Sequence, residues 1–224
     1  MRPPARRARE VVLLDLDGTL TDNFAGISRS IAHALVALGE PAPDPSTLTD
    51  CVGPPLRHSF ARLLATDDAA LIERAIVHYR ERYSATGWQE NVVYAGIPAM
   101  LAALRRGGRR LLLCTSKPQP FAERIVERFG LVGHLAGVYG ADLRGTLDDK
   151  GALVAHVVER ERLDPERCAM VGDREHDIHA ARRHRIRAIG VLWGYGSRAE
   201  LERAGADAIA ADPAALPAFI DADG

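Results

Sequence analysis

Lysine is nearly missing from this chain. It occurs twice in 224 residues, as Lys117 and Lys150, against 27 arginines. The two cations are not interchangeable where a compact point charge must fit, so the two surviving lysines mark positions to inspect. Cysteine is also sparse: Cys51, Cys114 and Cys168 lie far apart and form no CxxC pair. That argues against a disulfide framework and for a reducing compartment, so a cytoplasmic protein is expected. No apolar run approaches the roughly 20 residues of a membrane span. An excess of either charge is missing too; the net charge of −1 leaves no footprint for nucleic acid or an anionic membrane. The opening MRPPARRARE is basic and Pro-rich, lacks the apolar segment of a signal peptide, and reads as a tail. Apolar residues, at 47%, are present in ordinary measure, and the length suits one large domain or a main domain with an insertion.

The stretch VVLLDLDGTLTD begins as a buried strand, Val11–Leu14, and ends in acids. Asp15 and Asp17 stand two apart, so an extended chain aims both to one side. Like charges held close resist joint ionisation unless a cation or a shared proton lies between them. Next, Phe24, Ile27, Ile31, Leu35 and Leu38 recur at helical spacing, with Gly39 as the stop. Pro45 opens a short helix capped by Asp44, CVGPPL is a turn, and helices follow to about Leu64 and from Leu71 to Tyr83. From Tyr94 onward helices alternate with buried strands, RRLLLCTS, GVYG, CAMVGD, RAIGVLWG and the weaker ADAIAAD. Such alternation implies a parallel sheet covered on both faces. The expected fold class is α/β: a three-layer Rossmann-like parallel sheet core, residues 1–21 and 91–224, with an α-helical insertion, 22–90, after the first strand.

In open parallel sheets, ligands bind beyond the carboxyl ends of the strands. Asp15, Asp17, Gly18 and Thr19 follow the first strand; Thr115, Ser116 and Lys117 follow LLLC; Asp173 and Asp177 follow CAMVG. Lys150 opens the helix after GVYG. Hard oxygen ligands without a nearby cysteine or a complete histidine set point to Mg²⁺. A carboxylate can be a nucleophile, forming an acyl phosphate, and a second carboxylate can act as acid and then base. Phosphoryl transfer needs positive charge and donors around the equatorial oxygens. Thr115 and Lys150 supply them, with the backbone N–H groups of the Asp17-Gly18-Thr19 turn. Ser116 competes with Thr115 as the hydroxyl, and Lys117 adds a charge in the same loop. His176 and His179, three apart on one helix, lack a third ligand for zinc. GYGS, Gly194–Ser197, lacks the dinucleotide fingerprint and reads as a turn before a helix.

DLDGTL, Thr115 in LLLCTSKP, Lys150 and GDREHD stand in the order of the four motifs of the haloacid dehalogenase-like phosphatases. The chain resembles that family over nearly its whole length. The segment GVLWGYGSRAELERAGAD is similar to the phosphoglycolate phosphatase and 5′-nucleotidase branch. The resemblance implies Asp15 as nucleophile and Asp17 as acid/base. It implies Mg²⁺ held by the Asp15 side chain, the Asp17 backbone carbonyl and Asp173. Thr115 and Lys150 would hold the phosphoryl group, and Asp177 would orient Lys150 or a metal-bound water.

The resemblance also makes the insertion a mobile cap, with Arg57 in CVGPPLRHSF set to meet an anionic or polar part of the substrate. The implied activity is Mg²⁺-dependent hydrolysis of a small phosphate monoester (phosphoglycolate, a nucleotide or a sugar phosphate) through an aspartyl-phosphate. The implied partner is a small phosphorylated metabolite, and the protein a monomer or homodimer. Asp17 argues against dehalogenation, which has no leaving group to protonate. A cap without lysine argues against the phosphonate-cleaving relatives, which need one for a Schiff base. A sugar-phosphate mutase of the same fold and a phospho-accepting receiver-like binding module stand as alternatives.

Overall fold

The computed structural model describes residues 8–142 and 146–221; the first seven residues of the basic tail lie outside them. In chain order, β1 (Val11–Leu14) is followed by a short strand β2 (Thr21–Asp22), helices α1 (Phe24–Ala37), α2 (Leu56–Leu63) and α3 (Ala69–Ala85), and a short strand β3 (Val92–Val93). Helices and strands then alternate: α4 (Ile97–Arg106), β4 (Arg110–Pro118), α5 (Gln119–Arg128), β5 (Gly137–Ala141), α6 (Lys150–Glu161) and β6 (Cys168–Gly172). The chain ends through α7 (Glu175–Arg183), β7 (Arg187–Val191), α8 (Arg198–Ala204), β8 (Ala208–Ala210) and α9 (Leu216–Phe219).

Six strands form one sheet in the order β5-β4-β1-β6-β7-β8, and every pairing in it is parallel. The chain leaves β1 for β4 and β5 on one side, then crosses back to β6, β7 and β8 on the other. That reversal puts a topological switch point at the carboxyl end of β1. Successive strand residues point to opposite faces. Val12, Leu14, Leu111, Leu113, Ala169 and Val171 therefore share one apolar cluster with α4, α5 and α9. Val11, Leu13, Leu112, Cys114, Cys168 and Met170 share another with α6, α7 and α8. These are the three layers, and the α/β class is as the alternation implied.

Helices α1, α2 and α3 bury a third cluster of their own, built on Ile31, Phe60, Ile76, Tyr79 and Tyr83. Asp44 accepts from Ser46 N at the start of a 3₁₀ turn, Pro45–Cys51, and Gly39 takes the positive φ that ends α1. Two features differ from the sequence expectation. Thr21 and Asp22 pair antiparallel with Val93 and Val92, closing the two ends of the helical insertion together; strands of two residues carry no periodicity to read. β4 also runs past Thr115 to Pro118, because its pairing with β5 shifts register between them. Such an irregularity re-aims side chains where a strand meets a site.

Phe60 is fully buried and meets the Tyr79 ring edge-on at 6.3 Å. Phe60→Ala should cost about 3–5 kcal/mol of stability, read by urea denaturation. A loss below about 1 kcal/mol would contradict a close-packed insertion.

Candidate active site

The ladder of β1 continues one residue beyond the strand, where Asp15 N donates to Val171 O at 3.0 Å. Asp149 accepts from Ala152 N at 2.8 Å and so starts α6 at Lys150. The Lys150 ammonium then lies 2.6 Å from Asp15 Oδ1 and 2.9 Å from Asp177 Oδ1. The other oxygen of Asp177 accepts from Arg174 N at 3.3 Å, closing the first turn of α7. Asp173 accepts from Thr19 Oγ1 at 3.3 Å on one oxygen and from Tyr195 N at 2.8 Å on the other. Asp15, Lys150, Asp173 and Asp177 are buried, whereas Asp149 is exposed. One carboxylate oxygen from each of Asp15, Asp173 and Asp177 lies within 4.8 Å of the others, a grouping that can hold a metal ion.

Burial, then the charges of Asp177 and Asp15, push Asp173 up to about 8. Burial raises Asp177 as well, against the pull of Lys150. Burial alone would lower Lys150, but Asp15 and Asp177 outweigh it and hold the ammonium above the ordinary lysine range. Burial is the larger cause at both carboxylates, and the neighbouring acids add to it.

The second lysine makes a second grip. Lys117 Nζ lies 2.6 Å from Asp17 Oδ2 and donates to Tyr83 Oη at 2.8 Å. Asn23 Nδ2 contacts the other Asp17 oxygen at 3.3 Å and Tyr83 Oη at 2.7 Å. Burial raises Asp17, although Lys117 opposes it. Tyr83 comes from α3, where its ring stacks on Tyr79 at 5.3 Å and meets Phe121 of α5 edge-on at 5.1 Å.

Asp15, Asp17, Thr115, Ser116, Lys117, Lys150 and Asp177 all line one cleft between the sheet edge and the helical insertion. Thr115 Oγ1 accepts from Lys117 N at 3.2 Å, within the stretch of β4 where the register shifts. Arg57 reaches the rim of the cleft, where its guanidinium pairs with Glu73 of α3. Gly18 and Thr19 are buried and do not line the cleft. Their N–H groups close the turn itself, to Thr21 O at 2.8 Å and Leu16 O at 3.2 Å. The turn depends on Gly18 having φ +86° and no Cβ, since a Cβ there would overlap the Asp173 carboxylate. Gly194 is also required for space, because a Cβ on it would meet Gly18 O and Asp173.

Several residues of the site were not legible in the motifs. Tyr83 belongs to an apolar helical stripe, and packing alone accounts for its spacing. Asn23 follows Asp22, the one acid of β2, with no pattern around it. Arg174 lies inside GDREHD; its Nη1 donates to Val52 O of the insertion at 2.7 Å and its Nε to Glu200 Oε1 at 2.9 Å. Tyr195 lies inside GYGS; its hydroxyl donates to Asp22 Oδ1 at 2.7 Å and accepts from Asn23 N at 3.0 Å. GYGS is indeed a turn before a helix, with Ser197 capping α8.

Comparison with known proteins agrees with this architecture. The family model of haloacid dehalogenase-like hydrolases matches residues 12–191. A 5′-nucleotidase of Pseudomonas aeruginosa is 43% identical over 205 residues, 92% of this chain and 92% of that protein. The tyrosine-protein kinase PtkA of Mycobacterium tuberculosis is 44% identical over 187 residues, 84% of this chain and 63% of that protein. The crystal structure of a predicted phosphatase from Clostridium acetobutylicum superposes with a TM-score of 0.91 at 37% identity, covering 95% of this chain and 98% of that one. The chain belongs to the haloacid dehalogenase-like hydrolases, and within them it is a phosphoric monoester hydrolase.

Gly18→Ala tests the turn. The left-handed backbone alone should cost about 1–2 kcal/mol in urea denaturation, and the displaced Asp173 should take activity with it. A variant of unchanged stability would show that the turn tolerates a Cβ.

Proposed function

We propose that the protein hydrolyses a small phosphate monoester with Asp15 as nucleophile and Asp17 as acid and base. The observation that carries the proposal is the meeting of Asp15, Asp173 and Asp177 around a shared point, with Lys150 in contact with two of them, at the switch point of the sheet. Asp15 attacks phosphorus, the bond to the leaving oxygen breaks, and Asp17 gives that oxygen its proton. Burial, which raises Asp17, favours the protonated form needed at this step. Asp17 then takes a proton from water as the water attacks phosphorus. The bond to Asp15 breaks, phosphate leaves, and both aspartates return to their starting forms. Lys150 and Thr115 hold the phosphoryl oxygens, with Ser116 beside them.

The site fits Mg²⁺. The donors are oxygens only, they are buried, and burial with the charges of Asp177 and Asp15 raises Asp173. Asp15, the Asp17 carbonyl and Asp173 would hold the ion, with Asp177 orienting Lys150. When bound, the ion offsets negative charge on the phosphoryl group. The insertion α1–α3, residues 22–90, acts as a cap that limits water around the acyl phosphate. The 43% identical 5′-nucleotidase makes nucleoside 5′-monophosphates the first substrates to test, ahead of phosphoglycolate and sugar phosphates. A cytoplasmic setting is part of this proposal, and among the described residues no helix is long and apolar enough to cross a membrane.

Phosphate release should be measured across these esters with Mg²⁺ and with EDTA. Release is expected to need the metal, and Asp15→Asn should lower it by more than about 10³-fold, because an amide cannot form the acyl phosphate. Near-normal turnover by that variant would remove the covalent mechanism. Lys150→Arg should lose about 10²-fold or more, since a planar guanidinium does not fit between Asp15 and Asp177; full activity would show that the site needs charge and not shape.

A second reading, transfer to a tyrosine hydroxyl instead of water, draws support from the likeness to PtkA. Incubation with γ-labelled ATP and a tyrosine-bearing peptide separates the two. Label appearing on the peptide favours transfer, and label appearing as free phosphate favours hydrolysis.

A further inference from the structure

The grip on Asp17 comes from two parts of the molecule. Lys117 stands on β4 of the sheet and Asn23 at the start of α1, and each contacts one Asp17 oxygen. Both donors also meet the Tyr83 hydroxyl, at 2.8 and 2.7 Å. Tyr83 does not touch Asp17 through any hydrogen bond among the described residues. It sits behind the two groups that do. Its ring is held by Tyr79 of the same helix and by Phe121 of the core, so its hydroxyl is in place only while α3 is docked on α5.

We infer that Tyr83 is a positioning residue that ties the docking of the helical insertion to the aim of the Asp17 carboxyl, through Lys117 and Asn23. The physical argument is one of satisfied partners. Lys117, Asn23 and Tyr83 are all buried, and a buried donor that loses its acceptor turns to another or carries a desolvation cost. With Tyr83 present, two donors are spaced by one oxygen and meet the two sides of one carboxyl. Without it, both are free to turn, and the carboxyl loses its fixed plane. A general acid must lie within hydrogen-bond reach of the leaving oxygen, so loss of aim costs rate where protonation is needed and little where it is not.

The inference rests on the proposed acid role of Asp17, and the test separates the two. The quantity to measure is kcat/KM, which reports the first phosphoryl transfer, for p-nitrophenyl phosphate and for an alkyl phosphate. The aryl oxygen leaves without a proton; the alkyl oxygen needs one. In Tyr83→Phe, which keeps the ring on Tyr79 and Phe121, the alkyl-to-aryl ratio should fall on the order of 10-fold. Lys117→Met should lower the same ratio. Placed in an Asp17→Asn background, Tyr83→Phe should lower it no further, because residues acting as one unit are not additive. A ratio unchanged in Tyr83→Phe but lowered in Asp17→Asn overturns the positioning role and leaves the acid role standing. A ratio unchanged in Asp17→Asn removes the acid role, and the inference with it. Equal losses on both esters in Tyr83→Phe would mean a merely structural tyrosine and also overturn the inference.

Discussion

Four carboxylates and two ammonium groups are buried together at one end of this sheet: Asp15, Asp17, Asp173 and Asp177 with Lys117 and Lys150. Charges taken out of water persist only when partners replace the solvent, and here each lysine meets at least two oxygens. The sheet order satisfies that requirement. β1 has β4 on one side and β6 on the other, so the loops after three strands open onto one place. The first turn of α7 adds its backbone partial charge where Asp177 sits. A lysine is compact enough to lie between two carboxylates, and the chain keeps lysine only at these two points.

Much of this was legible because it follows from local rules. The apolar runs Val11–Leu14 and Leu111–Cys114 name buried strands, and parallel order carries the residues after them to one edge. Asp15, Thr115, Lys150 and Asp177 could therefore be gathered before any coordinates. Tyr83 could not, because its ring obeys the helical stripe while its hydroxyl serves a lysine on another element. Arg57 could be placed near the cleft but not paired, since Glu73 lies a helix away. The donors of Gly18 and Thr19 looked available in the sequence; in the folded turn they are spent on Thr21 and Leu16.

The junction between insertion and core has its own character. The sheet faces and the insertion each bury a separate apolar cluster. Between them run polar contacts: Arg174 to Val52 O, and Tyr195 to Asp22 and Asn23, with Phe121 as the main apolar contribution from α5. Hydrogen bonds traded for water cost on the order of 1 kcal/mol each. Parting such a junction is far cheaper than opening either core.

The two-residue pairing of Thr21 and Asp22 with Val93 and Val92 bears on how the chain folds. β1 and β4 pair Val11 with Arg110, and bringing them together from an open chain closes a loop of about 100 residues. If the helices between them have already closed that small ribbon, the loop left to close is only about 30 residues. The entropy of closure grows with the logarithm of length, so the ribbon lowers the cost of the first long-range strand pairing by about 1 kcal/mol. A pairing too short to see in the sequence thus acts as an internal shortcut. Through it a long insertion becomes, for the sheet, a short connection.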